Sequence, residues 1–119
     1  MRFACLVYFD PRIAFTGSAE NNAILDAAEV DRKRFVAQGI ATEALTLPSE
    51  AVTVRVRNGK ISATDGPFAE TKEVLGGFVL VDAADIDEAV RMAATNPMAQ
   101  LGCVEVRPLV DFSRPRPVM

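Results

Sequence analysis

The chain has 119 residues, a formal net charge of −3 and no histidine, and half of its residues are apolar. This length suits one domain that buries roughly two thirds of its unfolded surface, and the acidic balance gives no electrostatic reason to bind nucleic acid or an anionic membrane. The absence of histidine excludes Ser-His and Cys-His nucleophilic sites and zinc sites that need imidazole. Any acid–base chemistry must therefore use carboxylates, lysine, tyrosine or cysteine.

The first segment, residues 2–9, is a continuous apolar run that predicts a strand. Both of its alternating faces are apolar, so the strand must be covered on both sides. Asp10-Pro11-Arg12 ends the run well short of a signal peptide or a membrane-spanning segment. This pattern favours a cytoplasmic location and no membrane partner.

Residues 11–18 are predicted to form a loop, which leads to a helix from about Glu20 to Gln38. Asp31 and Arg32 fall near the apolar phase of this helix. Either both sit at the margin and reach solvent, or one of them lines a cavity. Residues 40–47 then predict a second, weaker strand.

A hairpin is predicted around Asn58-Gly59, because residues 52–61 alternate apolar and polar on either side of this turn signal. The apolar face is expected to point inward and consists of Val52, Val54 and Val56. The opposite face carries Arg55 and Arg57. These two arginines either form a solvated face or receive an anion.

The most polar stretch beside a rigid turn covers residues 64–73, which we call the corner. It holds three carboxylates, one lysine and the Gly66-Pro67 turn. Pro67 fixes its own φ and keeps Gly66 out of the helical region, so the turn is stiff. A stiff, polar turn suits a site that must hold side chains in place.

After the corner, residues 75–81 predict a strand that is again apolar on both faces, with Gly76-Gly77 marking a bulge or a close approach of another group. A helix is predicted to begin at Asp85 and to extend through Thr95, because the residues at its start have the spacing of a capping box. Residues 103–110 are predicted to form the last strand. The proline-rich residues 113–119 are expected to be a mobile tail after a single domain of residues 1–112.

Cys5 and Cys103 both lie in apolar segments and lack CxxC spacing. The pattern favours two buried free thiols over a redox pair.

The order of these elements predicts an α+β protein with a ferredoxin-like βαββαβ plan and an inserted β-hairpin. Two helices can cover only one face of such a sheet. Two of the strands are apolar on both faces, and an exposed apolar patch of that size is rare on a monomer. We therefore expect a homodimer in which the other face meets a second copy by two-fold symmetry.

Three segments of the sequence carry a family resemblance. They are Asp65-Gly66-Pro67-Phe68-Ala69-Glu70-Thr71-Lys72-Glu73, Leu75-Gly76-Gly77-Phe78 and Gly102-Cys103-Val104-Glu105-Val106-Arg107-Pro108. In these segments the chain resembles the YCII-related, or DGPF-domain, family, and the likeness runs from about residue 2 to residue 110. The resemblance implies a dimeric α/β barrel, in which two ferredoxin-like sheets face each other.

The resemblance implies no single reaction, because the family as a whole has no agreed activity. Some relatives are similar to dehydrochlorinating or muconolactone-isomerase-like enzymes. Others are encoded beside, or fused to, extracytoplasmic-function sigma factors. The enzyme-like relatives imply a His-Asp pair, and this chain has no histidine, so that chemistry does not carry over as it stands.

Asp65 is the candidate catalytic residue, with two interpretations. It can cap the local backbone, as an Asx-turn or as the N-cap of a single helical turn over residues 69–73. Alternatively, it acts as a general acid or base at the mouth of a cavity beside Tyr8 and Phe68. Lys72 would then stabilise charge there, or simply pair with a neighbouring glutamate.

Glu105 and Arg107 lie two residues apart on the last strand and are expected to point into the space between the two sheets. They can form a structural ion pair. Alternatively, Arg107 grips a carboxylate or enolate while Glu105 orients it.

Two functions follow from these candidates. The first is a cofactor-free and metal-free lyase or isomerase that moves a proton on a small organic acid, with Asp65 as the base and Arg107 as the anion clamp. The second is a non-catalytic ligand-binding or regulatory module that uses the same cavity and acts with a sigma factor. The absence of histidine favours the second, and the stiff acidic corner favours the first.

Overall fold

The computed structural model describes every residue from Met1 to Met119. Its helices and strands, in chain order, are β1 (Arg2–Phe9), α1 (Pro11–Ala14), α2 (Ala19–Ala37), β2 (Thr42–Ala44), β3 (Val52–Arg57), β4 (Lys60–Asp65), β5 (Val74–Asp82), α3 (Ile86–Ala94) and β6 (Gly102–Pro108). Short 3-10 turns occur at Pro48–Glu50 and Pro97–Gln100.

Four strands form one antiparallel sheet in the order β2-β5-β1-β6, and β3 pairs only with β4. This order is the ferredoxin-like arrangement, with the hairpin inserted before the third strand of the sheet. The predicted α+β fold is therefore confirmed. The central strand is β1, the continuous apolar run at the start of the sequence.

One face of the sheet packs against the helices and holds the core; we call it the covered face. Phe3 is fully buried there, next to Cys5, Val79 and Val81. Helix α3 contributes Ala89, and it begins at Asp85, whose carboxylate accepts a hydrogen bond from the Glu88 backbone N–H at 2.8 Å. That N-cap was predicted from the sequence spacing.

The opposite face of the sheet, the open face, carries no helix. Alternation along the strands and their pairing place twelve side chains on it: Arg2, Ala4, Leu6, Tyr8, Glu43, Leu75, Phe78, Leu80, Asp82, Cys103, Glu105 and Arg107. The apolar members are only half-buried within the single chain. The sheet is thus apolar on both faces at its centre, as the sequence predicted.

Strands β3 and β4 form a projecting hairpin, which we call the arm (residues 52–65). Asn58 and Gly59 both have positive φ, at 53° and 74°, as a two-residue type I′ turn requires. The hairpin is where the sequence predicted it. The inward orientation predicted for its valines is wrong for the single chain, because Val52, Val54 and Val56 are 58%, 61% and 56% exposed.

Close backbone packing explains the two glycines of β5. The pairing of β1 with β5 shifts between Val7 and Tyr8, which leaves Gly76 as a bulge. A Cβ on Gly76 would overlap the Phe9 ring, and one on Gly77 would lie 2.6 Å from the Glu43 backbone oxygen. Both parts of the prediction for this pair, a bulge and a close approach, are confirmed.

Two further predictions need correction. Residues 11–14 form helix α1 rather than a loop, because Asp10 accepts from the Arg12 N–H as an N-cap and Pro11 occupies the first turn. Cys103 is exposed in the chain, whereas Cys5 is buried, and the two thiols are free. They lie on opposite faces of the sheet, so they cannot form an intramolecular pair.

Helix α2 lies over the covered face without burying any residue completely. Asp31 and Arg32 form exposed ion pairs with Arg34 and Glu29, at 3.2 Å and 2.7 Å. They also line a cavity of about 200 Å³ beneath the helix. Both interpretations of this pair are thus realised together. None of the helices is long and apolar enough to cross a bilayer.

Candidate functional site

The corner follows β4 as an irregular loop held at its start by backbone contacts. Gly66 has a φ of 98°, which glycine adopts without the strain of a side chain. Its N–H donates to the Ala51 carbonyl at 2.6 Å, and its carbonyl accepts from the Thr53 hydroxyl at 2.8 Å. The turn is therefore fixed to the base of the arm, in agreement with the stiffness expected from Gly66-Pro67.

A cavity of about 920 Å³ lies between the corner, the loop that precedes the arm and one end of the open face. We call it the corner cavity. Its lining residues are Tyr8, Leu45, Thr46, Leu47, Pro48, Ser49, Ala51, Thr53, Gly66, Pro67, Phe68, Ala69, Glu70, Thr71, Glu73, Val74 and Leu75. Three segments far apart in sequence thus meet around one hollow, and the corner forms a large part of its wall.

The polar groups of the corner cavity are hydroxyls and two carboxylates, with no basic residue among them. The Tyr8 phenol comes from β1, and Glu70 and Glu73 come from the corner. Hydroxyls can donate or accept hydrogen bonds, so they suit carbonyl- and hydroxyl-bearing ligands. An anionic ligand would need a cation from elsewhere, because two carboxylates face it inside the single chain.

Two of the predicted ligand-binding residues, Tyr8 and Phe68, line the corner cavity together. The Phe68 ring is 80% exposed, so its side chain is available to a ligand and carries little of the core. The sequence analysis predicted that these two aromatic residues share one site, on the basis of the position of the corner. Their contact with a ligand stays a prediction.

Asp65 does not line the corner cavity of its own chain. It is exposed and pairs with Val52 across the hairpin, whereas Thr53, which faces the cavity, lies on the other face of the arm. No hydrogen bond reaches the Asp65 carboxylate, and residues 69–73 are not helical. The capping interpretation of Asp65 is therefore wrong, and its carboxylate is free.

Lys72 points to a separate groove on the outside of the corner, together with Asp10, Arg12 and Glu70. Asp10 is buried and accepts from the Arg12 backbone N–H at 2.9 Å and from its Nε at 3.3 Å. These hydrogen bonds, with a smaller contribution from the Lys72 charge, lower the pKa of Asp10. Lys72 forms no ion pair with Glu70 or Glu73.

Glu105 and Arg107 form an ion pair on the open face, with Arg107 Nε 3.3 Å from Glu105 Oε1. Both side chains are largely exposed in the single chain. They lie opposite Leu6 and Ala4 of β1, away from the corner cavity. The ion pair predicted from their spacing is confirmed, and a role in gripping an anion stays a prediction.

The sequence analysis missed a contact between Glu73 and Cys103. The Cys103 Sγ lies 3.9 Å from Glu73 Oε2, beside the open face. Desolvation raises the pKa of the Cys103 thiol, and the Glu73 and Glu105 carboxylates raise it further. The thiol is therefore neutral at pH 7. Nothing in the sequence pattern could bring residues 73 and 103 together, because their contact depends on the pairing of both β5 and β6 with β1.

No group of three or more His, Cys, Asp or Glu side chains in the chain is placed to hold a metal ion. The charged groups of the corner instead divide between two surfaces. Glu73 lines the cavity, Lys72 lines the outer groove, and Glu70 lines both.

Comparison with known proteins identifies the family of the chain. The YCII-related domain matches residues 1–113. The chain belongs to the YCII-related family. It is also similar to the uncharacterized protein R00369 of Rhizobium meliloti (strain 1021), with 39% identity over 117 residues that cover 94% of each chain. The resemblance inferred from the corner motif is thereby confirmed for almost the whole length of this YCII-related chain.

Proposed function

We propose that this YCII-related protein binds a small organic molecule in the corner cavity and acts as a two-fold homodimer. The observation that carries the proposal is the convergence of the corner with Tyr8 around one hollow of about 920 Å³. This volume lies in the range of small-molecule sites in proteins. Apolar walls with a few converging hydroxyls are also typical of such sites.

The homodimer is supported by the open face. Leu6, Phe78 and Leu80 are apolar side chains at the centre of a sheet that no helix covers. A two-fold partner would remove them from water and enclose the end of the corner cavity nearest Tyr8. The same arrangement would place Arg107 at an enclosed surface, where a guanidinium can bind a carboxylate in a bidentate manner.

The proposed chemistry is proton transfer on a small organic acid without a cofactor, with Asp65 as the acid or base. The carboxylate would take a proton from a C–H bond next to the carbonyl or carboxyl group, and the electron pair would form an enolate. An isomerase would then return the proton to another carbon, whereas a lyase would expel a leaving group from the adjacent carbon. The free, unpaired carboxylate of Asp65 supports this role.

A thermal-shift screen of small carboxylates and lactones tests binding. A compound at 100 times its dissociation constant should stabilise the wild-type protein by about 2.7 kcal/mol. Phe68→Ala should reduce the shift while leaving the melting temperature of the free protein almost unchanged, because the ring is 80% exposed. Asp111→Ala, which removes an exposed carboxylate of the C-terminal segment, is the control and should keep the full shift.

Exchange of substrate protons for deuterium in D₂O tests catalysis. Wild-type protein should exchange the C–H proton next to the carboxyl group of a bound compound, and Asp65→Asn should not. Equal exchange by both proteins would rule out Asp65 as the base while leaving binding intact. If no compound of either class shifts the melting temperature, the proposed binding function is wrong.

A regulatory module that acts with a sigma factor is the second candidate. It is favoured by the absence of histidine and by the position of Asp65 outside the corner cavity of its own chain. Recovery of an extracytoplasmic-function sigma factor in a pull-down, without proton exchange on any bound compound, would support it. Exchange that depends on Asp65 would favour the enzyme instead.

A further inference from the structure

The arm is an amphipathic hairpin that its own chain leaves uncovered. Its apolar face, defined by the strand pairing, consists of Val52, Val54, Val56, Ile61 and Ala63. The valines and the isoleucine are between 56% and 76% exposed. A two-stranded hairpin alone is at best marginally stable in water and needs packing on one face. The arm therefore needs a partner surface that the single chain does not provide.

The chain is more extended than a compact domain, and its arm pairs with no strand of the four-stranded sheet. The radius of gyration is 16.7 Å, whereas a compact domain of this length has about 13–14 Å. The longest dimension reaches 50 Å. At its base, the arm is tied to the corner by the Gly66 contacts with Ala51 and Thr53. Beyond that base, none of its side chains is buried.

The charges of the arm and the rest of the chain are opposite. Residues 52–65 contain three basic residues and one acidic residue, and the remaining residues contain ten basic and fifteen acidic ones. The basic side chains, Arg55, Arg57 and Lys60, share the face opposite the apolar one. A basic arm attracts an acidic body of the same protein, so a second copy is an electrostatically complementary partner.

Asp65 lies on the apolar face of the arm. It is directly opposite Val52 and lies two residues after Ala63 on the same strand. Its carboxylate therefore points to the same side as the exposed valines. The surface that covers these valines must therefore also receive Asp65. This placement explains why the carboxylate does not reach the cavity of its own chain.

We propose that the apolar face of each arm packs on the open face of a second copy of the chain, so that Asp65 of one subunit enters the site of the other. This inference rests on the homodimer of the proposed function. It adds that the arm is the segment that crosses to the other subunit. Each chain carries two uncovered apolar surfaces, the apolar face of the arm and the open face of the sheet. A two-fold exchange of arms would therefore cover both surfaces in each subunit. The proton-transfer site is then complete only in the dimer.

Thiol labelling tests the packing without a known ligand. Ala63→Cys and Ser62→Cys are compared in a Cys103→Ser background, where Cys5 is buried. The two positions are adjacent, small and exposed on β4, but lie on opposite faces of the arm. At a concentration where light scattering shows a dimer, iodoacetamide should modify Ala63→Cys at least about tenfold more slowly than Ser62→Cys. Dilution to monomer should abolish the difference.

A second pair tests the position of Asp65. Asp65→Cys should be protected in the dimer, and Thr64→Cys, its neighbour on the opposite face, should not. Both should react rapidly when Leu80→Asp is added to disrupt the open face. If Asp65→Cys stays protected in such a monomer, its own chain covers the arm and the proposal is wrong.

The outcomes separate this inference from the dimer itself. If the protein is a dimer but Ala63→Cys and Ser62→Cys react equally, the homodimer stands and the exchange of arms is wrong. If the protein is monomeric at every concentration and both thiols react rapidly, both proposals are wrong. Protection of Ala63→Cys and Asp65→Cys that disappears on dilution supports the exchange.

Discussion

The two faces of the four-stranded sheet use the same strands but differ in what covers them. On the covered face, Phe3 and Cys5 are 0% and 3% exposed. Their neighbours Ala4 and Leu6, which point to the open face, are only half-buried although they are also apolar. Hydrophobicity along the chain therefore shows that both faces are apolar, but it does not show which molecule, if any, covers each of them. The helices complete one face, and the proposed partner subunit completes the other.

The largest expected effect is on the covered face. Phe3→Ala should lower the free energy of unfolding by about 3–5 kcal/mol, because it leaves a cavity in a fully buried site. Urea unfolding measures the change. Leu6→Ala is the corresponding truncation on the open face, and it should lower the free energy of unfolding clearly less at concentrations where the chain is monomeric, both because the leucine is smaller and because its site is only half-buried. Equal losses would show that the two faces do not differ in this way.

A charge on the open face should instead act on association. Leu80→Asp should weaken the dimer by about tenfold or more, because a carboxylate loses its hydration in an apolar interface. Light scattering across a concentration series measures this effect. Val110→Asp places the same charge on an exposed residue outside the sheet and should leave the dimer intact. A Leu80→Asp protein that dimerises like wild type would contradict the role of this face.

The two cysteines report on the two faces directly. In a monomeric Leu80→Asp protein, iodoacetamide should modify Cys103 at least about tenfold faster than Cys5, because a buried thiol reacts only when the structure opens. Glu73→Gln should raise the Cys103 rate further, since removal of that carboxylate lowers the pKa of the thiol. Mass spectrometry of the labelled protein identifies the site. Faster labelling of Cys5 than of Cys103 would reverse the assignment of the faces.

The smallest effect is expected outside both faces, at the N-cap of α1. Hydrogen bonds from Arg12 lower the pKa of Asp10 in the folded protein, so ionised Asp10 stabilises the fold at neutral pH. Asp10→Asn should lower the melting temperature by a few degrees at pH 7. The difference from wild type should shrink as the pH falls below about 4, where the unfolded-state carboxylate protonates. A difference that stays constant to pH 2 would exclude ionised Asp10 as its cause.

Much of the fold could be predicted because its signals are local. The apolar run of β1, the Asn58-Gly59 turn and the Asp85 cap each specify an element within a few residues. Helix α1 was missed although its Asp10-Pro11 start is also a local signal. Strand β2 is shorter than predicted, because only three of its residues pair with β5.

The site was predictable only in part. The corner could be located from its composition and rigid turn, and Tyr8 and Phe68 do meet in one cavity. The orientation of Asp65 depends on which face of the arm it occupies, and a shift of one residue in the hairpin pairing would reverse it. The hydroxyls of Thr46 and Ser49 were missed, because they belong to a loop that reaches the corner only in three dimensions.

Sequence alone therefore determined most of the elements, the family and the apolar character of both faces of the sheet, since periodicity and turn chemistry act over short distances. The tertiary structure alone decided that the arm projects, that Asp65 shares its apolar face, and that Glu73 meets Cys103. These features depend on strand pairing and on contacts between residues far apart in the chain. Such contacts result from packing of the whole molecule rather than from any local pattern.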